Sequence, residues 1–439
     1  MSREMKYSGI EWIGEIPKKW RVKPLKWILR KPLQYGANES GITFDEALPR
    51  YVRITDILNN NLREDIQKQS LTEEQANGYI LEDNDILFAR SGGTVGKAFL
   101  FKSKYGRCAF AGYLIRAQIN DNNDSCYIYY FTQSSAYEEW KRQIFIQATI
   151  QNIGADRYSL LEIPLPSLSD QQKIAEYLDK VCGEIDEMVA LQEKMIEELK
   201  AYKQSVITEA VTKGLNPDVP MKNSGIDWVG DIPVHWKLIH FYKTNWIRAR
   251  LGWKGLKAEE YVEMGYPFLS AFNIVNDKLE WNDLNFINKE RYDESPEIKL
   301  SVGDLLLVKD GAGIGKCAVV DSLPLGEATV NSSLAVVSPN RNYIESKFQY
   351  YYFKSSIFQN TIWLLKIGMG VPHLTQENMK DIVIPCPPLS EQQSIASYLD
   401  TMCSEIDSLI TIKLQKIEEL KEYKKSIIYE YVTGKKEVV

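Results

Sequence analysis

Two copies of one plan make up this chain of 439 residues. Residues 163–215 and 384–436 are identical at about half of their positions, at a constant offset of 221 residues. A shorter repeat opens each copy, SGIEWIGEIPKKW at residues 8–20 and SGIDWVGDIPVHW at residues 224–236. Because the segments between these repeats diverge, the sequence predicts a variable domain followed by a shared segment, twice over.

Each shared segment is predicted to form one long helix. In the first copy, apolar residues alternate at spacings of four and three, which is typical of a heptad seam. The seam is interrupted at Gln192, and Lys413 stands at the same place in the second copy. Ser169 and Ser390 each precede a glutamine by three residues and predict capping boxes at the helix starts. The seam of the first copy runs through Ile174, Leu178, Val181, Ile185, Met188, Met195, Leu199, Tyr202 and Val206.

An amphipathic helix cannot bury its apolar stripe alone. Each helix could pack on its own neighbouring domain, or the two could pack on each other. The chain returns towards the other half after each helix, so we favour an antiparallel pair with a pseudo-two-fold axis near Gln192 and Lys413. A helix of roughly 43 residues rises 1.5 Å per residue and would form a rod of about 64 Å.

The variable segments indicate mixed α/β structure. Short β-type runs occur at residues 51–57, 85–90 and 97–101, and residues 130–145 and 348–365 show helical spacing. The predicted fold is α+β, with two mixed α/β domains related by internal duplication and separated by two long helices that form an antiparallel coiled coil. The predicted segments are a first domain at 1–165, a central helix at 166–215, a second domain at 216–386 and a C-terminal helix at 387–439. The tryptophans of the opening repeats are predicted to pack in the cores: Trp12, Trp20, Trp228 and Trp236.

Charge is distributed unevenly along the chain. The formal net charge of −6 argues mildly against a nucleic-acid binder. Residues 169–213 carry −4 and residues 390–434 carry −3, which leaves the remainder near +1 with local basic clusters. Six cysteines without a C-x-x-C pair are expected to be reduced thiols. Without an apolar run of roughly 18 residues or a signal-like start, we expect a cytoplasmic protein with no membrane partner.

Two glycine-rich stretches, SGGTVGKA (91–98) and DGAGIGKC (310–317), raise the possibility of a phosphate-binding P-loop. That motif requires glycine where Ser91 and Asp310 stand, and it opens a helix, whereas these stretches lead into β-type runs. We therefore predict hairpin tips. Such tips can present backbone N–H groups and basic side chains to a DNA phosphate, although plain glycine turns with solvated lysines would give the same pattern.

Catalytic patterns are scarce. The three histidines, His235, His240 and His373, have no counterparts in the first half, which argues against histidine catalysis or a metal site. The nearest approach to the methyltransferase motif Asn/Asp-Pro-Pro-Tyr/Phe is Cys-Pro-Pro-Leu at 386–389, which lacks the polar and the aromatic group. We expect a non-enzyme that binds no metal and no cofactor of its own.

The chain closely resembles the specificity (S) subunits of Type I restriction–modification systems. The resemblance rests on the two opening repeats, on GDLLLVKDGAGIGKC (303–317), and above all on PLPSLSDQQKIAEYLD (164–179) and PCPPLSEQQSIASYLD (385–400). It covers essentially the whole chain. It implies two target recognition domains that each bind one half of a split, asymmetric double-stranded DNA target.

The resemblance also implies the partners. The coiled coil would hold the two domains apart and dock two methyltransferase (M) subunits, which bring S-adenosylmethionine. Restriction (R) subunits would join through the complex and bring ATP-driven translocation and the nuclease, with Mg²⁺. A coiled-coil scaffold whose heads bind proteins or other ligands such as glycans is the alternative.

Loop position and polar chemistry give the candidate DNA contacts. Glycines at 92, 96, 311, 313 and 315 would permit close backbone approach. The first-half candidates are Arg53, Thr55, Asp56, Arg90, Ser91, Gly92, Thr94, Lys97, Gln151 and Asn152. The second-half candidates are Ser270, Phe272, Asn273, Lys309, Asp310, Gly311, Gly313, Lys316 and His373.

Overall fold

The computed structural model describes residues 3–58, 60–146, 152–249, 256, 258–311, 313–365, 373–380 and 382–438. The chain divides into two compact units. The first unit comprises Met1–Glu193 with Leu414–Val439, and the second comprises Lys194–Lys413. Each unit therefore holds one variable domain together with part of each shared helix.

The two shared segments are single long helices, Leu168–Lys213 and Leu389–Val432. In the first unit, Lys424 Nζ lies 2.6 Å from Asp186 Oδ1, and the rings of Tyr177 and Tyr431 are 4.5 Å apart. Residue numbers rise along one helix as they fall along its partner, so this pair is antiparallel.

The second unit repeats this pairing. Lys203 Nζ lies 2.7 Å from Asp407 Oδ1, and Lys413 Nζ lies 3.2 Å from Met195 Sδ. Asp407 is the counterpart of Asp186 at the offset of 221, and the paired lysines correspond in the same way. The prediction of an antiparallel helix pair is confirmed within each unit.

The predicted capping boxes are wrong by two residues. The first long helix begins at Leu168, directly after Ser167, whose Oγ accepts a hydrogen bond from the Asp170 backbone N–H at 3.2 Å. Ser169 and Ser390 both lie inside the first helical turn. The second helix begins at Leu389, directly after Pro388, whose carbonyl accepts from the Gln392 N–H at 3.0 Å.

The seam of the helix pair also departs from the strict heptad. Met188 and Tyr202 are exposed, whereas Cys182, Ile196 and Ile207 are buried. An α-helix has 3.6 residues per turn, so its buried stripe drifts relative to a 3.5-residue repeat unless the helices supercoil throughout. Ile185 is buried as the heptad predicts, but the buried positions Cys182, Ile196 and Ile207 each fall one residue later than predicted.

The domain of the first unit contains two four-stranded sheets. One has the strand order Ala98–Leu100, Ile86–Ala89, Leu114–Ala117, Gln34–Tyr35, and the other Cys108–Phe110, Arg50–Val52, Gln69–Ser70, Ile42–Thr43. Short antiparallel pairs join Met5–Tyr7 to Glu15–Pro17, Arg21–Pro24 to Glu162–Leu165, and Ile57–Leu58 to Asn61–Leu62. The α-helices are Glu73–Ala76, Ser125–Phe131, Ser135–Ile146 and Ala155–Ser159. The stretch 130–145 is thus two helices, not one.

The domain of the second unit follows the same topology. Its four-stranded sheet has the order Asn245–Arg248, Leu334–Pro339, Leu305–Val308, Cys317–Val319, and a three-stranded sheet has the order Asn285–Ile287, Tyr266–Leu269, Thr329–Val330. Two-stranded pairs join Met221–Asn223 to Asp231–Pro233, Lys237–His240 to Val383–Cys386, and Ile274–Val275 to Lys278–Leu279. The α-helices are Phe241–Thr244, Lys289–Asp293, Ser346–Lys354, Ser356–Leu365 and Gln376–Lys380.

A buried glutamine fastens each domain to the start of its own long helix. The side-chain carbonyl of Gln171 accepts from the Asp124 backbone N–H at 2.9 Å, and that of Gln392 accepts from the Glu345 N–H at 2.8 Å. Each domain also contacts the end of the other helix. Tyr127 donates to the Val432 carbonyl at 2.9 Å in the first unit, and the Gln204 side chain donates to the Lys354 carbonyl at 2.7 Å in the second. Both packing alternatives for the long helices therefore hold.

The tryptophans of the opening repeats are not equivalent. Trp20 and Trp236 are buried in the cores of their units, and Trp12 packs against the first core. Trp228 is exposed, so the prediction of core packing is wrong for this residue. Among the described residues, no helix has the length and apolar content needed to cross a bilayer.

Candidate nucleic-acid interface

Both glycine-rich stretches form hairpin tips, as predicted. Strand Ile86–Ala89 pairs antiparallel with Ala98–Leu100, and Leu305–Val308 pairs with Cys317–Val319. No helix follows either loop, which rules out the P-loop geometry. The four glycines at 92, 96, 311 and 315 all have φ between 80° and 92°, the left-handed region in which glycine avoids a Cβ clash.

Each hairpin lies beside a second predicted segment. Ser91 forms an isolated β-bridge with Asn152, and Asp310 forms the equivalent bridge with His373. The structure thus brings together predicted contacts that lie about 60 residues apart in the sequence. Gln151, another candidate contact, lies outside the described residues.

A third segment joins this surface in the first unit. The backbone N–H of Ala111 donates to the Val52 carbonyl at 3.0 Å, and that of Arg90 donates to the Tyr113 carbonyl at 3.0 Å. The turn at 111–113 therefore connects the strand that leads into residues 53–56 with the base of the glycine hairpin.

The second unit makes the same connection. Asn331 N–H donates to the Leu269 carbonyl at 2.8 Å, and Lys309 N–H donates to the Ser333 carbonyl at 2.9 Å. All three groups of candidate contacts thus converge in each unit. We refer to residues 53–56, 90–97 and 152 as the first reading surface, and to residues 270–273, 309–316 and 373 as the second reading surface.

Arg90 is the basic side chain of the first reading surface that packs on an aromatic ring. Its guanidinium lies over the ring of Tyr35, 5.0 Å from the centroid, and its Nε is buried without a hydrogen-bond partner among the described residues. The Tyr35 hydroxyl accepts from the Ala155 N–H at 3.0 Å, which holds the ring in place. A guanidinium with a fixed plane is suited to bidentate hydrogen bonding.

The second reading surface has different charges at the equivalent positions. Lys309 is buried and its Nζ lies 3.0 Å from Asp310 Oδ2. The other carboxylate oxygen of Asp310 contacts His373 Nδ1. The second surface therefore has a lysine where the first has Arg90, and a carboxylate where the first has the Ser91 hydroxyl. Lys97 and Lys316, by contrast, are exposed at matching places on the two hairpins.

The residues at 53–56 and 270–273 form capped 3₁₀ turns. Asp56 is 1% exposed and accepts from the Arg53 backbone N–H at 3.0 Å and from its guanidinium at 2.9 Å. In the second turn, Asn273 Oδ1 accepts from the Ser270 N–H at 2.9 Å. These polar groups bond within their own turns, and their contact with DNA stays a prediction. We call the two segments the capped turns.

Two aromatic residues of the first reading surface were not anticipated from the sequence. The Tyr35 ring packs under the Arg90 guanidinium. Tyr113 lies in the turn at 111–113, and 63% of its surface is exposed. Tyr113 follows Gly112 between two apolar β-type runs, a pattern that indicates a turn but does not indicate where the turn lies.

The described residues contain no group of three or more His, Cys, Asp or Glu side chains arranged to hold a metal ion. All six cysteines are free, and burial raises the pKa of Cys108 to about 11 and that of Cys317 to about 12. Such thiols are poor nucleophiles and metal ligands at neutral pH.

Two duplicated domains on paired helices, each with a glycine hairpin at its reading surface, define a protein built to bind at two places. The family model for the Type I restriction modification DNA specificity domain matches residues 17–201 and again residues 253–422. These matches cover most of the chain, and the chain belongs to this family. The predicted family membership is therefore confirmed.

Individual proteins give the same result. The chain is 27% identical over 435 residues to the putative Type I restriction enzyme MjaX specificity subunit of Methanocaldococcus jannaschii, covering 96% of this chain and 95% of the relative. It is 26% identical over 360 residues to the MjaVIII specificity subunit of the same organism, covering 81% and 80%. The Escherichia coli K12 EcoKI specificity subunit is 24% identical over 416 residues, covering 90% and 84%.

Solved structures show the same fold. A chain from a study of complex assembly and conformational transition in the type I R-M system has a TM-score of 0.73 at 16% identity, covering 95% of this chain and 98% of that one. The HsdS subunit from Thermoanaerobacter tengcongensis has a TM-score of 0.53 at 16% identity, with the same coverage. The family is the non-catalytic specificity subunit of Type I systems, so the chain serves in DNA recognition and not in catalysis.

Proposed function

We propose that each unit binds one half of a split, asymmetric DNA target through its reading surface. One observation carries this proposal: the same three segments converge in both units, while the side chains at equivalent positions differ. Arg90 in the first unit corresponds to Lys309, and Asn152 corresponds to His373. A shared backbone with different donors and acceptors suits the recognition of different bases, because each base pair presents its own pattern in the major groove.

In this proposal the exposed lysines and the backbone of the glycine hairpins contact the DNA phosphates. Lys97 and Lys316 lie at matching places on the two hairpins, where a charge can fix the register of each unit on the duplex without reading its sequence. Two half-site contacts on one chain then bind more tightly and more selectively than either alone.

The target can be found by sequencing the methylated bases of the host genome with and without the gene for this chain. Loss of the chain should abolish methylation at one motif made of two short blocks separated by unspecified bases. A chain with Arg90→Ala should lower methylation at that motif and leave motifs of other systems unchanged, which makes those motifs the internal control. Loss of a continuous motif, or of none, would contradict the proposal.

The partners belong to the same proposal. The chain binds double-stranded DNA, two methyltransferase subunits and, through the complex, restriction subunits. In this proposal S-adenosylmethionine, ATP and Mg²⁺ bind to those subunits, as the resemblance to the family implies.

Equivalent apolar patches on the helix pairs support two methyltransferase subunits. Met188 and Leu191 are exposed one turn apart, and the antiparallel pairing places exposed Tyr423 at the same level of the first unit. The counterparts Leu409, Ile412 and Tyr202 are also exposed, and all lie in the second unit. Large apolar side chains repeated on a solvated surface mark interaction sites, and two copies of one patch suit two copies of one partner.

Changing one patch should therefore remove one partner. We expect Leu191→Glu or Ile412→Glu to reduce the complex from two methyltransferase subunits to one, and the double variant to bind none, as measured by native mass spectrometry. The matched control is Leu160→Glu, which places the same charge on an exposed leucine away from the long helices. Two subunits on the double variant would show that the patches are not the docking sites.

A further inference from the structure

The capped turns each extend one side chain away from the protein. In the second unit this is Phe272, whose phenyl ring is 91% exposed. Its counterpart in the first unit is Thr55, also exposed. The same turn forms with threonine, so the fold does not require an aromatic residue there. An exposed phenyl ring on a turn that folds without it points to an external contact.

Both turns hold these side chains on a rigid backbone. Phe272 N–H donates to Ser270 Oγ at 3.3 Å, and the Ser270 hydroxyl bonds Asn273 Oδ1 at 3.2 Å. In the first unit, the Thr55 hydroxyl lies 3.3 Å from Oδ1 of the buried Asp56. The hydroxyl of Thr55 is therefore engaged, and its γ-methyl group is left for an outside partner.

The surroundings limit what such apolar groups can contact. Each capped turn belongs to a reading surface and is linked to the hairpin that bears Arg90 or Lys309 through the turn at 111–113 or at 331–333. Asp56, Ser270 and Asn273 bond within the turns, and Arg53 bonds Asp56 and the Gln67 carbonyl. Thr55 and Phe272 are therefore the exposed side chains of the two turns. In the major groove, the C5-methyl group of thymine is the apolar feature of the base edges, and threonine methyl and phenyl groups both pack on it.

We propose that the capped turn recognises the C5-methyl group of a thymine, through the phenyl ring of Phe272 in the second unit and through the γ-methyl group of Thr55 in the first. This inference rests on the proposed function, in which both reading surfaces bind DNA. It assigns a specific chemistry, an apolar contact to one base, to Thr55 and Phe272, which the sequence indicates only as DNA contacts.

Deoxyuridine provides a direct test, because it differs from thymidine only by the absence of the methyl group. Duplexes that carry the target found by methylation sequencing are prepared with each thymine replaced in turn. The full-length chain in its methyltransferase complex should bind about four-fold more weakly when one particular thymine of one half-site is replaced, as expected for one lost methyl contact. Phe272→Ala should bind the thymine duplex more weakly and show no further loss on that replacement.

The first unit supplies the matched variant. Thr55→Ser keeps the hydroxyl that bonds Asp56 and removes only the γ-methyl group. Thr55→Ser should abolish sensitivity to deoxyuridine in the other half-site alone. Thr55→Ser and Phe272→Ala therefore serve as controls for each other. Phe272→Leu, which keeps an apolar side chain, should retain part of the sensitivity.

Loss of thymine recognition and loss of target recognition give different results in this experiment. The inference is overturned if replacement of no thymine weakens the wild-type complex, or if Phe272→Ala stays as sensitive as the wild type to every replacement. The wild-type series needs no variant and so does not depend on how Phe272→Ala folds. If the wild-type complex does not distinguish the target from a scrambled duplex, the proposed function fails and this inference fails with it.

Discussion

Replacing Arg90 with alanine is expected to lower the affinity for the target duplex by roughly ten- to a hundred-fold, because a bidentate contact to one base contributes about 1–3 kcal/mol. Tyr35 holds the guanidinium plane, and the buried Nε leaves the terminal nitrogens as the groups available for a base edge. The commonest partner of such a pair of donors is guanine O6 and N7. Fluorescence anisotropy with target and scrambled duplexes measures the effect, which should be much smaller on the scrambled duplex.

Two further variants separate base recognition from charge. Arg90→Lys keeps the positive charge and should not restore selectivity, since an ammonium group offers neither a planar pair of donors nor the same stacking on Tyr35. Lys97→Ala should weaken binding to target and scrambled duplexes alike and reduce the salt dependence by about one phosphate contact. Unchanged affinity and unchanged sequence preference in Arg90→Ala would remove Arg90 from the reading surface.

The duplication made much of the fold predictable. Identity at a constant offset identified the shared segments, and their apolar spacing predicted helices, because each helical position must face either the partner or water. Which positions of the long helices are buried was harder to predict. A heptad assumes continuous supercoiling, whereas the buried stripe shifts from Val181 to Cys182 and from Met195 to Ile196. Only the packing of each domain against both helices determines where that shift occurs.

The reading surfaces were predictable where glycine and local order define them. The hairpin tips follow from two β-type runs around a glycine loop, and the bridge partners Asn152 and His373 were among the candidates. The support of Arg90 by Tyr35 was not predictable, because these residues are 55 positions apart in the sequence and strand Leu114–Ala117 separates their strands in the sheet. Similarly, nothing in the local sequence around Asp56 shows that its carboxylate is buried within the turn.

A buried ion pair should make Asp304→Asn one of the most destabilising single substitutions in the second unit. Asp304 and Arg248 are both buried, and Asp304 Oδ2 lies 2.7 Å from Arg248 Nη2 and accepts from the Ser301 N–H at 2.9 Å. Removing one charge leaves the other buried without compensation, which typically costs about 3–5 kcal/mol. Hydrogen exchange read by mass spectrometry should show faster exchange in strand Asn245–Arg248, which contains Arg248, and in strand Leu305–Val308, which directly follows Asp304.

The first unit contains the matched control. Asp85, the counterpart of Asp304, lies 3.5 Å from Arg116, and burial raises its pKa above the ordinary value despite that arginine. A carboxyl whose folded-state pKa is raised favours folding only as the pH falls towards that pKa, and its charged form opposes folding at neutral pH. Asp85→Asn should therefore destabilise its unit much less than Asp304→Asn does, and any gain over wild type at neutral pH should shrink on acidification. Equal destabilisation by both substitutions would show that the Arg248–Asp304 and Arg116–Asp85 pairs contribute equally to the free energy of unfolding. It would also show that burial does not disfavour the charged form of Asp85.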